Sequence, residues 1–446
     1  MDYQEAIDFS MSLAREQKLK DVDVVFSRED KMTIRVHNRK VEKVDQSTGM
    51  GLGIRVVDEG RTGIAYTERL AREPIERALS EARENARLMD PTEVLLNTRF
   101  PEVPDLANLE VYNPELENLS LDDLTAFGLE MEAEARGADP RVTAVPYAGV
   151  TRSNGFYRVV SIHGMNHTHR QNYVAGYCQA LLEENGRRKT GGKDWAARNW
   201  QPEKAKTLGR MAVETAAGLI NAEKIKGGAL PIVLDEECAP GLLGMYLGAF
   251  TGEAAQKGQS RLKDRLGEQI AIPELDLLDD PHRKGAAASR YLDAEGTATR
   301  PLHLVEKGVF SNFLYHIESA RKAGVDSTGH AGRGYSGGIS TRLHNLVIPK
   351  GDQSLDELIA IPERCLLVTE LEGAAGCNPL SGDISIGVQG YLVEGGQRKQ
   401  PVDSVTIAGN FYDLLKAIRA RGNNYQDNLT SMFIPPLLVD GLVVSS

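Results

Sequence analysis

The chain alternates between two hydrophobic rhythms. Residues 3–18 place apolar side chains at helical spacing among acidic ones, which predicts an amphipathic helix. Two strands are then expected at 21–29 and 32–47, the second with Ile34, Val36, Val41 and Val44 set against charged neighbours. A hairpin is expected over 50–67, with strands at 52–57 and 61–66. Its turn, Asp58-Glu59-Gly60, has the residues that reach tight-turn backbone angles. Helical spacing returns at 72–89, with Ile75, Ala78, Leu79, Ala82, Ala86 and Leu88 opposite Glu and Arg. A long connection (91–119) leads to a helix at 121–137 that ends on Gly137. Consecutive strands fill 141–191, with turns expected at Ser153-Asn154-Gly155 and Glu184-Asn185-Gly186. A helix over 202–224 points Ala205, Leu208, Ala212, Ala216 and Ile220 inward.

A boundary is expected near Gly227-Gly228, followed by a strand at 229–234. The stretch from Gly241 to Gly258 then reads as one helix, with Gly244, Gly248 and Gly252 recurring every four residues. Each glycine costs a helix about 1 kcal/mol relative to alanine. Three on one face therefore imply a close approach to the backbone. Either the helix packs tightly under a sheet or it lines a cavity. Further on come an irregular segment (259–300), a hairpin turning at Glu306-Lys307-Gly308 and a short helix. A glycine-rich loop (327–338), a strand (341–351) and a helix at 354–362 capped by Ser354 follow. The last part reads as strands turning at Gly395-Gly396, a short helix at 411–419 and a strand-like run at 432–444. This order predicts an α+β fold of two domains, 1–226 and 227–446, each with a largely antiparallel or mixed β-sheet packed with helices.

Composition narrows the function. With 446 residues, 41% hydrophobic and 26% charged, the chain is an ordinary globular sequence long enough for two cores. Its net charge of −11, with GRRK at 186–189 as its basic run, argues against nucleic acid as a partner. No apolar run reaches the length of a membrane span, and the first residues lack the pattern of a secretory signal. Cys178, Cys238, Cys365 and Cys377 form no CxxC pair, so a disulfide framework or zinc ribbon is not expected and a cytoplasmic location is.

The chemistry-bearing candidates are few. His163, His167 and His169 form the densest histidine cluster, but no nearby Cys, Asp or Glu completes a metal set; polar residues on an exposed strand are the simpler reading. HExxH, HExxxH and GxxxxGK[ST] are absent, no GxGxxG opens a helix after a strand, and RGYSGG at 333–338 lacks the strand-turn-helix setting of a nucleophile elbow. Two loops remain as peptide- or partner-binding candidates. One places His330, Arg333 and Tyr335 on a glycine-rich, flexible segment. The other places Cys377, Asn378, Ser381, Asp383 and Ser385 between two strands, where they serve either an extended peptide or an ordinary turn. Cys377 as a nucleophile needs a base, for which His330 is the candidate.

VTELEGAAGCNPLSGDISIGVQGYLVEGG and PVDSVTIAGNFYDLLKAI, with DAEGTATR and RKAGVDSTGHAGRG before them, resemble the TldD/TldE family. TldE is also called PmbA, and the family is often labelled modulator of DNA gyrase. The resemblance covers nearly the whole chain. It implies that TldD is a zinc metalloprotease whose HExxxH histidines and a C-terminal cysteine hold the metal, with the glutamate as general base. It further implies a TldD/TldE heterodimer that trims unfolded peptides, including a microcin precursor and an antitoxin, with extended substrate lying against a sheet edge. In this chain the histidine positions fall on Met245 and Phe250 and the glutamate on Tyr246, and no cysteine follows Cys377. Methionine and phenylalanine are not ordinary zinc ligands, and Tyr246 is a poor base near neutrality. Glu253 on the same stretch cannot repair the set alone.

The expected protein is thus the TldE-like subunit without metal, zinc being held by a TldD partner and this chain forming part of the substrate channel. The alternatives are a stand-alone homodimeric peptide-binding protein and a hydrolase using Cys377.

Overall fold

The computed structural model describes residues 1–92 and 96–445; residues 93–95 of the expected connection lie outside the described residues. The first half is built on one antiparallel sheet. Its strands are β1 (Asp21–His37), β2 (Lys40–Asp58), β3 (Arg61–Thr67), β4 (Val142–Ser161), β5 (Asn166–Glu184) and β6 (Arg187–Ala197), in the order β3-β2-β1-β4-β5-β6. Helices α1 (Tyr3–Glu16) and α2 (Arg72–Leu88) cover β1–β3 through Ile7, Met11, Ile75 and Leu79. Helices α3 (Leu121–Gly137) and α4 (Lys204–Leu219) cover the other end through Phe127, Met131, Leu208 and Ala212. Asp2 and Ser120 form capping boxes with Glu5 and Asp123, which fix where α1 and α3 begin.

Two expected breaks are absent. The polar run around Asp30 does not end a strand, and Ser153-Asn154-Gly155 does not turn. Both lie inside long strands, where Asp30 pairs with Asn154 across β1 and β4, and Asn154 with Asn172 across β4 and β5. A polar band crosses the sheet here, and neighbouring strands on both sides satisfy its backbone. The β1–β2 turn sits instead at Asn38 and Arg39, with φ of 52° and 60°, the left-handed pair that a two-residue hairpin uses. Strand β2 outruns β3, which pairs with it only from Leu52 onward, so residues 40–50 are an exposed edge.

The second half holds an eight-stranded mixed sheet. Its centre runs from β7 (Ile232–Leu234) through Arg364–Glu372, Asp383–Glu394 and Gln397–Asn410; β7 and its neighbour are parallel. A five-stranded sheet of short strands includes Leu277–Asp279 and Leu302–Glu306. The expected single helix from Gly241 is broken in three: α5 (Cys238–Gly244), a 3-10 turn (Leu247–Phe250) and α6 (Gly252–Gln256). The glycines weaken a continuous helix. Thr251, extended at φ −92° and ψ 134°, starts a new one by accepting from the Ala254 amide at 3.3 Å. Only Gly252 meets the expected close approach, from the Tyr315 ring; nothing lies within 4 Å of a Cβ placed at Gly248.

The halves meet through a buried ion network. Asp23 on β1 pairs with Arg55 on β2 and with Arg333, and Arg55 donates to Glu295 at 2.7 Å. A side chain at Gly51 or Gly53 would collide with Tyr335, whose hydroxyl donates to Glu68 at 2.6 Å. Among the described residues no helix is long and apolar enough to cross a membrane.

Candidate functional site

The sequence-derived candidates separate into two places. The first is the broken helix and the loop beside it. Tyr246 and Phe250 have no exposure at all, and Met245 packs against the same core. The Tyr246 ring stacks on Phe411 with centroids 4.9 Å apart, and Phe250 meets Phe310 edge-on at 5.9 Å. The Tyr246 hydroxyl donates to the Asp383 carbonyl at 2.8 Å. Burial and the adjacent Cys377 push the phenol well above its usual range, so it cannot serve as a base near neutrality. The three positions therefore offer no imidazole or carboxylate, and their one polar atom is already bonded. This donor set does not fit zinc. Of the two readings of the glycine stretch, packing is the one these contacts describe.

The Cys377 loop lies against Tyr246 and stays at the surface. Ser381 donates to Asp383 Oδ2 at 2.5 Å, Asn378 Oδ1 accepts from the Leu380 amide at 2.9 Å, and Asn410 donates to the Ser381 carbonyl at 3.0 Å. These bonds make a self-contained turn, with Asp383 held below its usual range by Ser381 and Asn410. Ser385 is exposed, and its carbonyl faces Cys377 Sγ at 3.8 Å.

The second place lies between the halves and corrects the expectation of a flexible His330 loop. His330 is fully buried and Arg333 nearly so. His330 bonds Asp279 Oδ2 through Nε2 and Thr328 through Nδ1, both at 2.8 Å. His344 Nδ1 reaches the same Asp279 oxygen at 2.8 Å, and the His344 amide donates to Oδ1 at 2.7 Å. Burial works against the Asp279 charge, but the two imidazoles outweigh it and hold the carboxyl down at about 2. Burial lowers His344 to about 4. Asp279, His330 and His344 present ligand atoms within 4.8 Å of one another, a grouping the sequence did not reveal because 51 and 65 positions separate the histidines from Asp279. Each of those atoms is used in a hydrogen bond within the trio. With both nitrogens engaged, His330 is not free to activate Cys377, and no hydrogen bond joins them among the described residues.

The histidine cluster divides likewise. His163 pairs with Asp21 at 2.8 Å at the strand end. His169, expected on an exposed surface, is buried, because the second half covers that part of β5.

A cleft of about 680 Å³ also runs between the halves, lined by Lys189 and Lys193 of β6, Asp235, Cys238 of α5 and Glu370. Asp235 accepts from the Glu237 and Cys238 amides at 3.1 and 2.8 Å and so shapes the start of α5. Burial pushes its carboxyl up to about 6.

Known proteins share this architecture along the full chain. The PmbA/TldA metallopeptidase domain 1 matches residues 22–86, the central domain 114–220 and the C-terminal domain 227–446. The chain is similar to a metalloprotease PmbA of Escherichia coli O157:H7, 26% identical over 98% of this chain and 96% of that protein. A PmbA homologue of Haemophilus influenzae is 25% identical over 100% and 96%. A solved structure from Thermotoga maritima, described as a modulator of a DNA gyrase, superposes with a TM-score of 0.87 at 27% identity over 100% of both chains. TldE of Thermococcus kodakarensis has the same fold, with a TM-score of 0.86 at 24% identity over 99% of both chains. Three consecutive domain matches and full-length relatives agree: the chain belongs to the PmbA/TldD metallopeptidase family.

Proposed function

We propose that this chain is the TldE/PmbA-like, non-metal-binding subunit of a TldD/TldE-type zinc protease acting on unfolded peptides. The observation that carries the reading is the packing at 245–250. Tyr246 and Phe250 are aromatic core, and the Tyr246 hydroxyl is spent on the Asp383 carbonyl. A partner bearing HExxxH supplies the zinc and the general base. This chain contributes surface to the substrate channel, for which the cleft beside α5 and the exposed loop of Cys377, Asn378, Ser381, Asp383 and Ser385 are the candidates. The free edge of β2 at residues 40–50 offers backbone groups for an extended chain or a partner strand. A cytoplasmic location agrees with four unpaired cysteines.

Co-expression with an HExxxH-bearing relative tests this reading. The expected result is a stable complex that cleaves unfolded peptide, while this chain alone is inactive. Stoichiometric zinc and peptidase activity in the purified single chain would overturn it. Recovery of a homodimer that binds peptide and ignores the partner would favour the stand-alone alternative.

A further inference from the structure

A second cavity, of about 290 Å³, lies between β4 and β5 of the first half and segments of the second half. It stands apart from the broken helix, and the channel reading does not use it. Its wall is unusual in holding buried polar groups with nothing to bond. Neither ring nitrogen of His169 makes a well-formed hydrogen bond, although the Gln171 side chain lies beside it, and His167 Nε2, Tyr157 Oη, Arg290 Nε and Arg333 Nε are unpartnered. His169 is more than nine-tenths buried. Buried polar atoms in folded proteins nearly always bond, so a cluster of orphans facing one cavity marks a missing occupant.

Charge separates water from an ion as that occupant. Among the described residues, no salt bridge joins a carboxylate to Arg290, which lines the cavity; Arg342, also in the lining, is exposed to solvent. Two carboxylates face this group. Asp279 is taken by His330 and His344, and Asp293 by the amides of Glu295, Thr297 and Ala331. Burial, with Glu295 beside it, raises the Asp293 carboxyl above its ordinary value. Arg333 is neutralised separately, through Asp23. Arg290 is thus the cavity's cation without an ion-pair partner, since Arg342 is exposed to solvent. Water can bond the orphan donors but cannot pair the Arg290 charge, and an unpaired charge inside a cavity is unfavourable.

We propose that this chamber binds a small oxyanion, of the phosphate or carboxylate class, between Arg290 and the imidazoles of His167 and His169. Arginine suits the forked geometry of such an anion. The two imidazoles supply N–H donors from the opposite strand, and the Tyr157 hydroxyl supplies another. Burial first, then Arg290, holds His167 down at about 4 and His169 at about 3 in the empty chamber. An anion offsets Arg290 and raises both.

The test uses the full chain, with inorganic phosphate, sulfate and acetate as separate probes against chloride at matched ionic strength. At least one oxyanion is expected to raise the melting midpoint and to shift the imidazole NMR signals of His167 and His169. Response to phosphate and sulfate identifies a tetrahedral ligand; response to acetate alone identifies a carboxylate. Arg290→Gln is expected to weaken the response about tenfold or more, the loss of a charge-assisted pair. Arg210→Gln, on the exposed face of α4, leaves it unchanged. The wild-type measurements decide the matter even if Arg290→Gln does not fold. If none of the three anions moves the histidine signals beyond chloride, the chamber holds water and the proposal fails.

Discussion

Arg55, on the second strand of the chain, donates to Glu295 across 240 residues of sequence, and both side chains are about as buried as the core. The same guanidinium pairs with Asp23, which also receives Arg333. Two cations and two carboxylates thus balance inside the protein and tie its halves together. Burial alone would raise Asp23, but Arg333 and Arg55 outweigh it and hold the carboxyl below its ordinary value. Removing one member strands the others without solvent. Asp23→Asn is expected to cost about 3–5 kcal/mol in urea unfolding. A loss within experimental error of zero would show that the network is not closed in solution.

The glycines of the broken helix make opposite predictions. Gly252→Ala drives a methyl into the Tyr315 ring and should destabilise by about 1–3 kcal/mol. Gly248→Ala enters open space and should be neutral or stabilise by up to about 1 kcal/mol. Equal effects at the two positions would contradict the packing described.

Tyr246→Phe keeps the stacked ring and deletes the hydroxyl that donates to the Asp383 carbonyl. The expected cost is about 0.5–1.5 kcal/mol, the worth of one hydrogen bond, because the Asp383 carbonyl still accepts from the Asn378 amide at 2.9 Å. Cleavage by the reconstituted complex should continue once the variant is folded. Abolished cleavage with normal assembly would give Tyr246 a catalytic role.

Metal removal gives a separate check. Because the ligand atoms of Asp279, His330 and His344 bond one another, a chelator should leave the melting midpoint of the isolated chain unchanged. A fall in the midpoint that zinc or another divalent ion restores would show that the trio holds a metal instead.

His169 should make the fold sensitive to acid. Its imidazole titrates near 6.5 in the unfolded chain but is lowered to about 3 by burial and Arg290. Between those values the unfolded state binds the additional proton, so this residue subtracts stability as pH falls below 6.5. His169→Gln removes that penalty. In chloride buffers the variant should gain about 2 kcal/mol relative to the wild type between about pH 7 and about pH 5. A pH-independent difference would mean that His169 is protonated in the folded protein.

Much of this was legible in residue order. Capping boxes, helical spacing and the Asp58-Glu59-Gly60 and Gly395-Gly396 turns placed most elements, because those signals are local. Polar runs inside strands misled, since Asp30 and Asn154 look like turn residues until neighbouring strands pair with them. Glycines misled as well. The loop of His330 reads as mobile, yet Gly329 lies at φ 78° against the Ala298 carbonyl and Gly332 sits under Arg342. Their small size serves close packing, not motion.

Identity at single positions was decided by the sequence alone. Met245, Tyr246 and Phe250 lack zinc-binding groups however the chain folds, and the two-domain α+β class follows from the order of local patterns. Convergence was decided only by tertiary structure. The helix break at Thr251, the burial of His330 and Arg333, and the chamber shared by Tyr157, His167, His169 and Arg290 depend on how two sheets meet. Local patterning specifies which face of an element is buried; it carries no record of which distant charge will lie opposite.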